Sequence, residues 1–182
     1  MSDLQLLETH GFYTVDVGAV WGRKTAAFPE QPHTIKEAMA RDVRRLTAMS
    51  AGLFRDSRFY NDPFFTAEEA DRLYRAWIRN SVSNSLREEI CRTFFIKDSG
   101  FLVYRQKANC GDIALIGVVP EKQGRGIGRS LVLHTLSRLR EDGMDTLTVR
   151  TQIKNIRAMN FYLGLGFKIQ YTDTTMARVI DA

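Results

Sequence analysis

The sequence predicts an α/β fold built on a mixed sheet, and three observations carry this prediction. Its 182 residues contain several short apolar segments of strand type and four segments with apolar residues at helical spacing. Strands and helices are predicted in the order strand, two helices, three strands, helix, strand, helix and strand. A turn with glycines at positions 124, 126 and 128 joins a nearly continuous apolar strand to an amphipathic helix. This layout is typical of an α/β domain.

Composition and charge exclude several classes of protein. Hydrophobic residues make up 44% and charged residues 26% of the chain, which is the balance of a soluble globular protein. No apolar segment approaches the ~20 residues of a membrane span, and the acidic N-terminus lacks the layout of a signal peptide. The net charge of +5 favours anionic partners, but the basic residues are spread out and form no nucleic-acid-binding motif. We therefore expect neither a nucleic-acid nor a membrane partner.

The cysteines and histidines predict no metal site. Cys91 and Cys110 lack the spacing of a metal-binding pair, and the three histidines are scattered along the chain. Two cysteines without a disulfide pattern fit a reduced compartment, so we expect a cytoplasmic location.

The first third of the chain contains one clear strand and one ambiguous segment. Residues 12–20 are predicted as a strand, and two prolines mark residues 22–32 as a loop. Residues 33–38 fit either a helix opened by a capping box or a short strand. We prefer the strand, with a helix over residues 42–54, because an apolar stripe begins there with Val43, Leu46 and Met49.

The remaining elements follow from apolar spacing and turn residues. Residues 55–65 form a turn-rich aromatic segment, and a capping box of Thr66 and Glu69 then opens a helix over residues 66–82. Strands are predicted at residues 93–96, 101–104, 112–119, 147–150 and 167–171, and helices at residues 126–142 and 155–163, the last with Ile156, Met159 and Leu163 on one side.

A short pattern occurs near each end of the chain. LETHGFYTVDV (residues 7–17) and YLGLGFKIQYT (residues 162–172) both predict a helix tail, a Gly–Phe turn and a strand. The repeat indicates an N-terminal extension over residues 1–32, a candidate remnant of a duplicated half-domain, ahead of a main domain over residues 33–182. The sequence leaves open whether the N-terminal strand completes its own sheet or a partner's.

The stretch VVPEKQGRGIG, residues 118–128, places a glycine-rich turn, whose backbone is not covered by side chains, between a predicted strand and a predicted helix. Glycines let the backbone approach a ligand closely, and a helix N-terminus offers unpaired N–H groups and a positive dipole end. With Lys122 and Arg125 beside it, such a turn suits a pyrophosphate. The spacing fits neither the dinucleotide-binding GxGxxG motif nor a P-loop. The alternative is a tight turn that binds nothing.

These residues are similar to the acetyl-CoA motif of the GCN5-related N-acetyltransferase (GNAT) superfamily, with its Gln/Arg-x-x-Gly-x-Gly/Ala core. Asn155, Tyr162 and Gly166-Phe167 follow in the family's order, and the resemblance covers roughly residues 34–171. It implies the GNAT fold, with a mixed, mostly antiparallel sheet flanked by helices and a splayed V between the fourth and fifth core strands. It also implies acetyl-CoA as cosubstrate and no metal. The cofactor-binding residues that it implies are Val118, Val119, Gln123, Gly124, Arg125, Gly126, Ile127, Gly128 and Asn155.

Two residues are candidates for catalysis by the same resemblance. In the family, a tyrosine at the position of Tyr162 lies beside the thioester sulfur. Its hydroxyl is protonated at neutral pH and can donate to the leaving CoA thiolate. Asp112 opens a buried strand where several relatives carry a catalytic glutamate, and a carboxylate there can take a proton from the amine. The alternative roles are a core aromatic for Tyr162 and a turn cap for Asp112.

The acceptor in this family usually lies over the link between the first two helices, here residues 55–82. This link contains Ser57-Arg58-Phe59, an aromatic pair after them, and a helix with Tyr74 three residues before Trp77. In these features the link resembles that of family members acting on nucleotide-linked amino-deoxy sugars of the dTDP-4-amino-4,6-dideoxy type. An arginine can meet a diphosphate and an aromatic ring can stack on a base, so the implied substrate-binding residues are Arg55, Arg58, Phe59 and Tyr60. The alternatives are a peptide or another small-molecule amine as acceptor, or a non-catalytic acyl-CoA-binding module. Dimers are common in the family, so a homodimer is an open question.

Overall fold

The structure is a computed structural model that describes residues 3–83 and 90–180. These residues form six α-helices and seven strands. The helices are α1 (Asp3–Thr9), α2 (Val43–Met49), α3 (Arg58–Asn61), α4 (Ala67–Ser83), α5 (Ile127–Glu141) and α6 (Ile156–Gly164). The strands are β1 (Tyr13–Lys24), β2 (Lys36–Glu37), β3 (Ile90–Ile96), β4 (Gly100–Lys107), β5 (Cys110–Val118), β6 (Thr146–Gln152) and β7 (Lys168–Ala177).

All seven of these strands belong to one sheet, in the order β2-β3-β4-β5-β6-β1-β7. Neighbouring strands are antiparallel except for β5 and β6, which run parallel. The predicted α/β fold with a mixed, mostly antiparallel sheet is therefore confirmed. The short strand that we preferred for residues 33–38 is also confirmed as β2, which pairs with β3.

The parallel pair of strands separates part of the way along its length. β5 and β6 pair from Cys110 opposite Thr146 to Ile113 opposite Val149 and no further. Beyond that point β5 continues beside β4 and β6 continues beside β1. The two strands thus form the splayed V that was predicted between the fourth and fifth core strands.

The N-terminal strand β1 lies inside the sheet of its own chain. It pairs with β6 from Gly18 to Lys24 and with β7 from Tyr13 to Gly22, so it separates two strands that follow it in sequence. It is longer than predicted, since residues 22–24 continue the strand where a loop was expected. The idea that the N-terminal segment descends from a duplicated half-domain stays a prediction.

The helices cover the two faces of the sheet unequally. On one face, α5 and α6 pack across the middle of the sheet, with Leu131, Leu136 and Leu147 fully buried. On the other face, α2 and α4 pack over β3, β4 and β5, where Leu46 and Ile78 are fully buried. That second core includes no buried residue of β6, β1 or β7, so this part of the face is free to carry polar side chains.

Several element boundaries differ from the predictions for local reasons. The capping box is confirmed, since the backbone N–H of Thr66 donates to Glu69 at 2.9 Å and that of Glu69 donates to Thr66 Oγ1 at 3.2 Å. The helix predicted over residues 42–54 is wrong at its end: α2 stops at Met49, and Gly52 then takes a φ of +70° in a series of turns. The helix α3 was not predicted.

Helix α6 is confirmed, but the apolar stripe that predicted it is largely exposed. Ile156 and Leu163 are 60% and 61% exposed, whereas Tyr162 is 2% exposed and belongs to the core. Tyr162 is thus the buried residue of α6, and the partly buried Ala158, Met159 and Phe161 pack beside it against the same core. In the described residues, no helix combines the length and the apolar character that crossing a membrane requires.

Candidate active site

The glycine turn leads into α5, and the backbone N–H groups there lack hydrogen-bond partners among the described residues. A short 3-10 turn, Pro120–Lys122, follows β5, and Gly124 and Gly126 both take a φ of +75°. This left-handed conformation is strained for residues with a side chain. Gly126 is the N-cap of α5, and the first helical hydrogen bond runs from the Ser130 N–H to the Gly126 carbonyl at 2.9 Å.

Six consecutive backbone N–H groups, those of residues 124–129, donate to no other group in the described part of the chain. The first turn of any helix leaves such donors, and here the glycine turn adds more of them. They lie at the positive end of the α5 dipole, beside the exposed side chains of Arg125 and Arg129. An added Cβ at Gly124 would meet no atom within 4 Å, so the space above the turn is open. The arrangement suits a phosphate or pyrophosphate group.

Gln123 differs from the glycines that follow it. Its backbone N–H already donates to the Pro120 carbonyl at 3.2 Å, so the free donors begin at Gly124. Its side chain donates to the Val118 carbonyl at 3.0 Å and accepts from Arg157 at 2.7 Å. Gln123 therefore ties the end of β5 to α6, and this contact shapes the turn from outside.

A cavity of about 460 Å³ opens where β5 and β6 separate. Residues of both strands line it from below, the α3 region and α4 line one side, and α6 lines the other. Five of the predicted site residues meet around it: Arg58, Phe59, Asp112, Asn155 and Tyr162. Val118, Val119 and the glycine turn lie outside the lining, at the end of β5 and the start of α5.

Two predicted substrate-binding residues do not line this cavity. The Tyr60 hydroxyl donates to Asp71, and burial, followed by this hydrogen bond, raises the pKa of Tyr60 to about 12. Arg55 is exposed and lies near Gly52. The structure thus brings Arg58 and Phe59 to the cavity but not their predicted companions Arg55 and Tyr60.

Tyr162 combines burial with a free hydroxyl. Its ring packs between Phe161 and Phe167, with ring centroids 5.2 and 5.4 Å away. Its hydroxyl has no hydrogen-bond partner among the described residues, although the side chain lines the cavity. Burial raises the pKa of Tyr162 above its usual value of 10.0. The hydroxyl therefore stays protonated at physiological pH and is available as a donor.

Asp112 is held by three neighbouring side chains. One carboxylate oxygen accepts from Arg105 at 2.7 Å and lies 3.8 Å from the Lys107 ammonium, and the other accepts from Thr148 at 3.0 Å. The hydrogen bonds from Arg105 and Thr148 fix the orientation of the carboxylate. Asp112 lines the cavity, and its role as the general base stays a prediction.

Asn155 is the N-cap of α6. Its side-chain oxygen accepts from the Ala158 N–H at 3.0 Å, which fixes the orientation of the amide group. The amide nitrogen makes no hydrogen bond to another described residue, so it can donate to a ligand in the cavity.

Sequence reasoning missed several residues that line the cavity, among them Asp56, Trp77, Arg105, Arg150 and Gln152. A signal for Arg150 was present in the sequence of β6, TLTVRTQ. There Leu147 and Val149 alternate with polar residues, which places an arginine on one face of an interior strand. In the structure Arg150 forms ion pairs with Asp16 and Asp173, both at 2.7 Å.

Residues 53–167 match the sequence model of the Acetyltransferase (GNAT) family. The match covers more than half of the chain, and it includes the separating strands, the glycine turn and Tyr162. The chain therefore belongs to the GNAT family, and the resemblance seen in the glycine turn is confirmed. Among the described residues, no group of histidine, cysteine and acidic side chains is arranged to hold a metal ion.

Two curated relatives differ in how much of the chain they match. The chain is 29% identical over 137 residues to dTDP-fucosamine acetyltransferase of Escherichia coli O6:H1 (strain CFT073). This alignment covers 74% of this chain and 58% of that protein. The chain is 39% identical over 67 residues to mycothiol acetyltransferase of Nocardia farcinica, which covers 37% of this chain and 22% of that protein. The chain thus spans less than two thirds of either relative.

A solved structure shows the same fold. The PaiA N-acetyltransferase of Thermoplasma acidophilum, in complex with coenzyme A, matches with a TM-score of 0.60 at 18% identity, over 80% of this chain and 98% of that one. This likeness confirms the predicted GNAT fold.

Proposed function

We propose that the protein transfers the acetyl group of acetyl-CoA to a primary amine on a nucleotide-linked amino-deoxy sugar of the dTDP-4-amino-4,6-dideoxy type. The observation that supports this proposal most strongly is the cavity where β5 and β6 separate. It is lined by the buried hydrogen-bond donor Tyr162 and also by the cationic Arg58 and the aromatic Phe59. The relative whose alignment covers 74% of this chain acts, by its name, on a dTDP-linked amino sugar, which supports the same acceptor class.

The cofactor side of the proposal rests on the free backbone donors. The N–H groups of residues 124–129 bind the pyrophosphate of acetyl-CoA, with Arg125 adding charge. The backbone of Val118 meets the pantetheine chain where β5 has separated from β6, and the Asn155 amide donates to it. Val119 lies beside this contact, but its N–H already donates to the Ser99 carbonyl at 2.9 Å. The bound cosubstrate supplies the acetyl thioester.

Tyr162 protonates the leaving group. The amine nitrogen attacks the thioester carbon, a C–N bond forms, the C–S bond breaks and the sulfur takes the proton of the Tyr162 hydroxyl. The Tyr162 phenolate then regains a proton from the water that receives the proton of the amine. Because the pKa of Tyr162 is raised, its protonated form persists above pH 10, so its titration does not limit the rate at neutral pH. Backbone N–H groups near Val118 polarise the thioester carbonyl.

Asp112 is the candidate base for the proton that the amine must lose. Both of its carboxylate oxygens already accept hydrogen bonds, from Arg105 and Thr148, so it acts through a water molecule that passes the proton to solvent. Direct transfer of the acetyl group makes a covalent intermediate on the protein unnecessary.

Arg58 carries the recognition of the anionic acceptor. Its guanidinium lies over the Phe59 ring, 4.7 Å from the centroid, and it forms no ion pair with a described carboxylate. The other two cavity arginines, Arg105 and Arg150, are already paired with carboxylates. Arg58 therefore meets the diphosphate of the acceptor, and Phe59 and Trp77 offer faces on which a base can stack.

The test is release of free thiol from acetyl-CoA with a panel of amines. The panel holds dTDP- and UDP-linked amino-deoxy sugars, short peptides, an aminoglycoside and a glycosidic amine of the mycothiol type. We expect turnover with a dTDP-linked sugar and a fall in kcat of about a hundredfold in Tyr162→Phe, the range of general acid catalysis. Tyr171→Phe, an exposed tyrosine outside the cavity lining, is the control and should match the wild type.

The outcomes separate the alternatives. Turnover of a peptide or another amine alone would reject the nucleotide-sugar acceptor and keep the enzyme. Binding of acetyl-CoA without turnover of any amine would reject both and indicate an acyl-CoA-binding module.

A further inference from the structure

The strand β1 contacts two separate walls of the acceptor cavity. It comes from the N-terminal segment, which lies outside the residues that match the family model. None of its own residues lines the cavity, yet two of its side chains hold residues or elements that do.

The first contact runs from β1 to β6. The Asp16 carboxylate is buried, and it accepts a hydrogen bond from the Arg150 guanidinium at 2.7 Å. Asp173 on β7 accepts from the other side of Arg150, at 2.8 and 3.0 Å. Both carboxylates fix the plane of the guanidinium, because an arginine fork binds carboxylates in a defined geometry.

The backbone of β1 leaves room for this arginine. An added Cβ at Gly18 would lie 2.3 Å from the Arg150 Cζ atom, which is too close for two nonbonded carbons. Gly18 does not have a positive φ, so its glycine is explained by the arginine above it and not by the backbone conformation. Asp16 and Gly18 together define where Arg150 lies.

The second contact runs from β1 to α3. The Tyr13 hydroxyl donates to the Asp62 carboxylate at 3.2 Å, and the Tyr13 ring packs on Phe64 with centroids 5.5 Å apart. Asp62 is buried and directly follows α3, the helix that carries Arg58 and Phe59. Tyr13 therefore anchors the C-terminal end of the short helix that forms one wall of the cavity.

We propose that β1 is part of the acceptor site, with Asp16 and Tyr13 acting as positioning residues that hold Arg150 and α3 against the bound amine substrate. The proposal rests on the proposed function in one respect, that the cavity receives the acceptor. It does not depend on which amine the acceptor is.

The experiment measures acceptor KM, kcat and acetyl-CoA affinity in Asp16→Asn and Gly18→Ala. Asp16→Asn removes one of the two charges that hold Arg150, and Gly18→Ala displaces the arginine by crowding while Asp16 stays in place. We expect both variants to lower kcat/KM for the acceptor by about tenfold or more, mainly through KM, since small misplacement of a positioning group is costly. Calorimetric binding of acetyl-CoA should be unchanged in both.

Two matched controls separate positioning from a general loss of stability. Asp142→Asn breaks ion pairs with Arg92 and Arg138 outside the cavity. Gly22→Ala changes another glycine of β1 and crowds the Gln170 side chain of β7. Both controls should keep the wild-type KM for the acceptor. If Asp16→Asn and Gly18→Ala behave like these controls, the positioning role is wrong.

The acceptor used is whichever amine of the panel the wild-type protein acetylates fastest, so a failure of the nucleotide-sugar assignment leaves this test intact. A second arm needs no acceptor: hydrogen–deuterium exchange of the acetyl-CoA complex in Tyr13→Phe. Loss of the bond to Asp62 should speed exchange over residues 57–62 and leave the glycine turn unchanged. Unchanged exchange over residues 57–62 would overturn the role of Tyr13.

Discussion

At the scale of single residues, the cavity distinguishes two arginines that the sequence presents as equivalent. Arg55 and Arg58 lie three positions apart in the same turn-rich segment, and both were predicted to meet a diphosphate. The structure places Arg58 at the cavity, on the face of Phe59, and leaves Arg55 exposed outside it. A surface arginine without a fixed geometry contributes little to binding, whereas a positioned guanidinium forms charge-assisted hydrogen bonds.

This difference gives a prediction with its own control. Arg58→Ala should raise the KM for an anionic acceptor by about tenfold to a hundredfold, since a hydrogen bond to a charged group contributes ~1.5–3 kcal/mol. Arg55→Ala should leave this KM close to the wild-type value. Steady-state kinetics of both variants at saturating acetyl-CoA decide the matter. Equal effects in the two variants would show that charge alone, without the cavity geometry, attracts the acceptor.

At the scale of elements, the two ends of α5 provide another matched pair. Gly126 at the N-terminus and Gly143 after the C-terminus both have a φ of +75°, and an added Cβ would meet nothing closer than 3.9 Å at either position. An alanine is therefore strained at both sites, at a cost of about 1–2 kcal/mol in the free energy of unfolding. Only Gly126 belongs to the turn with free N–H groups.

Gly126→Ala should raise the KM for acetyl-CoA, because relief of the strain turns the N–H groups of residues 124–129 away from the pyrophosphate. Gly143→Ala should lower the melting temperature by a similar amount without changing this KM. Thermal unfolding and acetyl-CoA titration of both variants provide the measurements. A rise in KM in both variants would point to loss of stability as the cause and not to the turn.

The elements also show which parts of the structure could be read from the sequence. α5 was predicted within one residue at each end, because its apolar stripe is regular and a glycine follows it. α3 was missed since four residues are too few for a periodic pattern. The glycine turn was predicted from a local pattern and Tyr162 from the resemblance to the family; the structure places Tyr162 at the cavity, and its catalytic role stays a prediction. Arg150 was missed because its importance depends on β1, which contacts it across a sequence separation of 134 residues.

At the scale of the whole molecule, the place of β1 in the sheet is the feature that the sequence could not show. Strand order depends on long-range pairing, and the pattern of residues 12–20 is the same whether the strand lies at an edge or between two others. In the structure β1 lies between β6 and β7 and buries Ala19 and Trp21 in the core under α5 and α6. The helix α1, in contrast, contains no buried residue.

The last prediction concerns two truncations of the N-terminal segment. A chain that starts at residue 12 loses α1 alone and should keep a cooperative thermal transition close to that of the full chain.

A chain that starts at residue 25 also loses β1, which leaves β7 without its only strand neighbour in the described sheet and removes Trp21 from the core. Loss of one buried tryptophan side chain typically costs ~3–5 kcal/mol, against a total stability of about 5–15 kcal/mol for a domain. With the strand pairing lost as well, we expect the shorter chain to show no cooperative transition by circular dichroism and no binding of acetyl-CoA. If it folded and bound acetyl-CoA with wild-type affinity, residues 1–24 would be a dispensable extension. The acceptor site would then have to form without Asp16 and Tyr13.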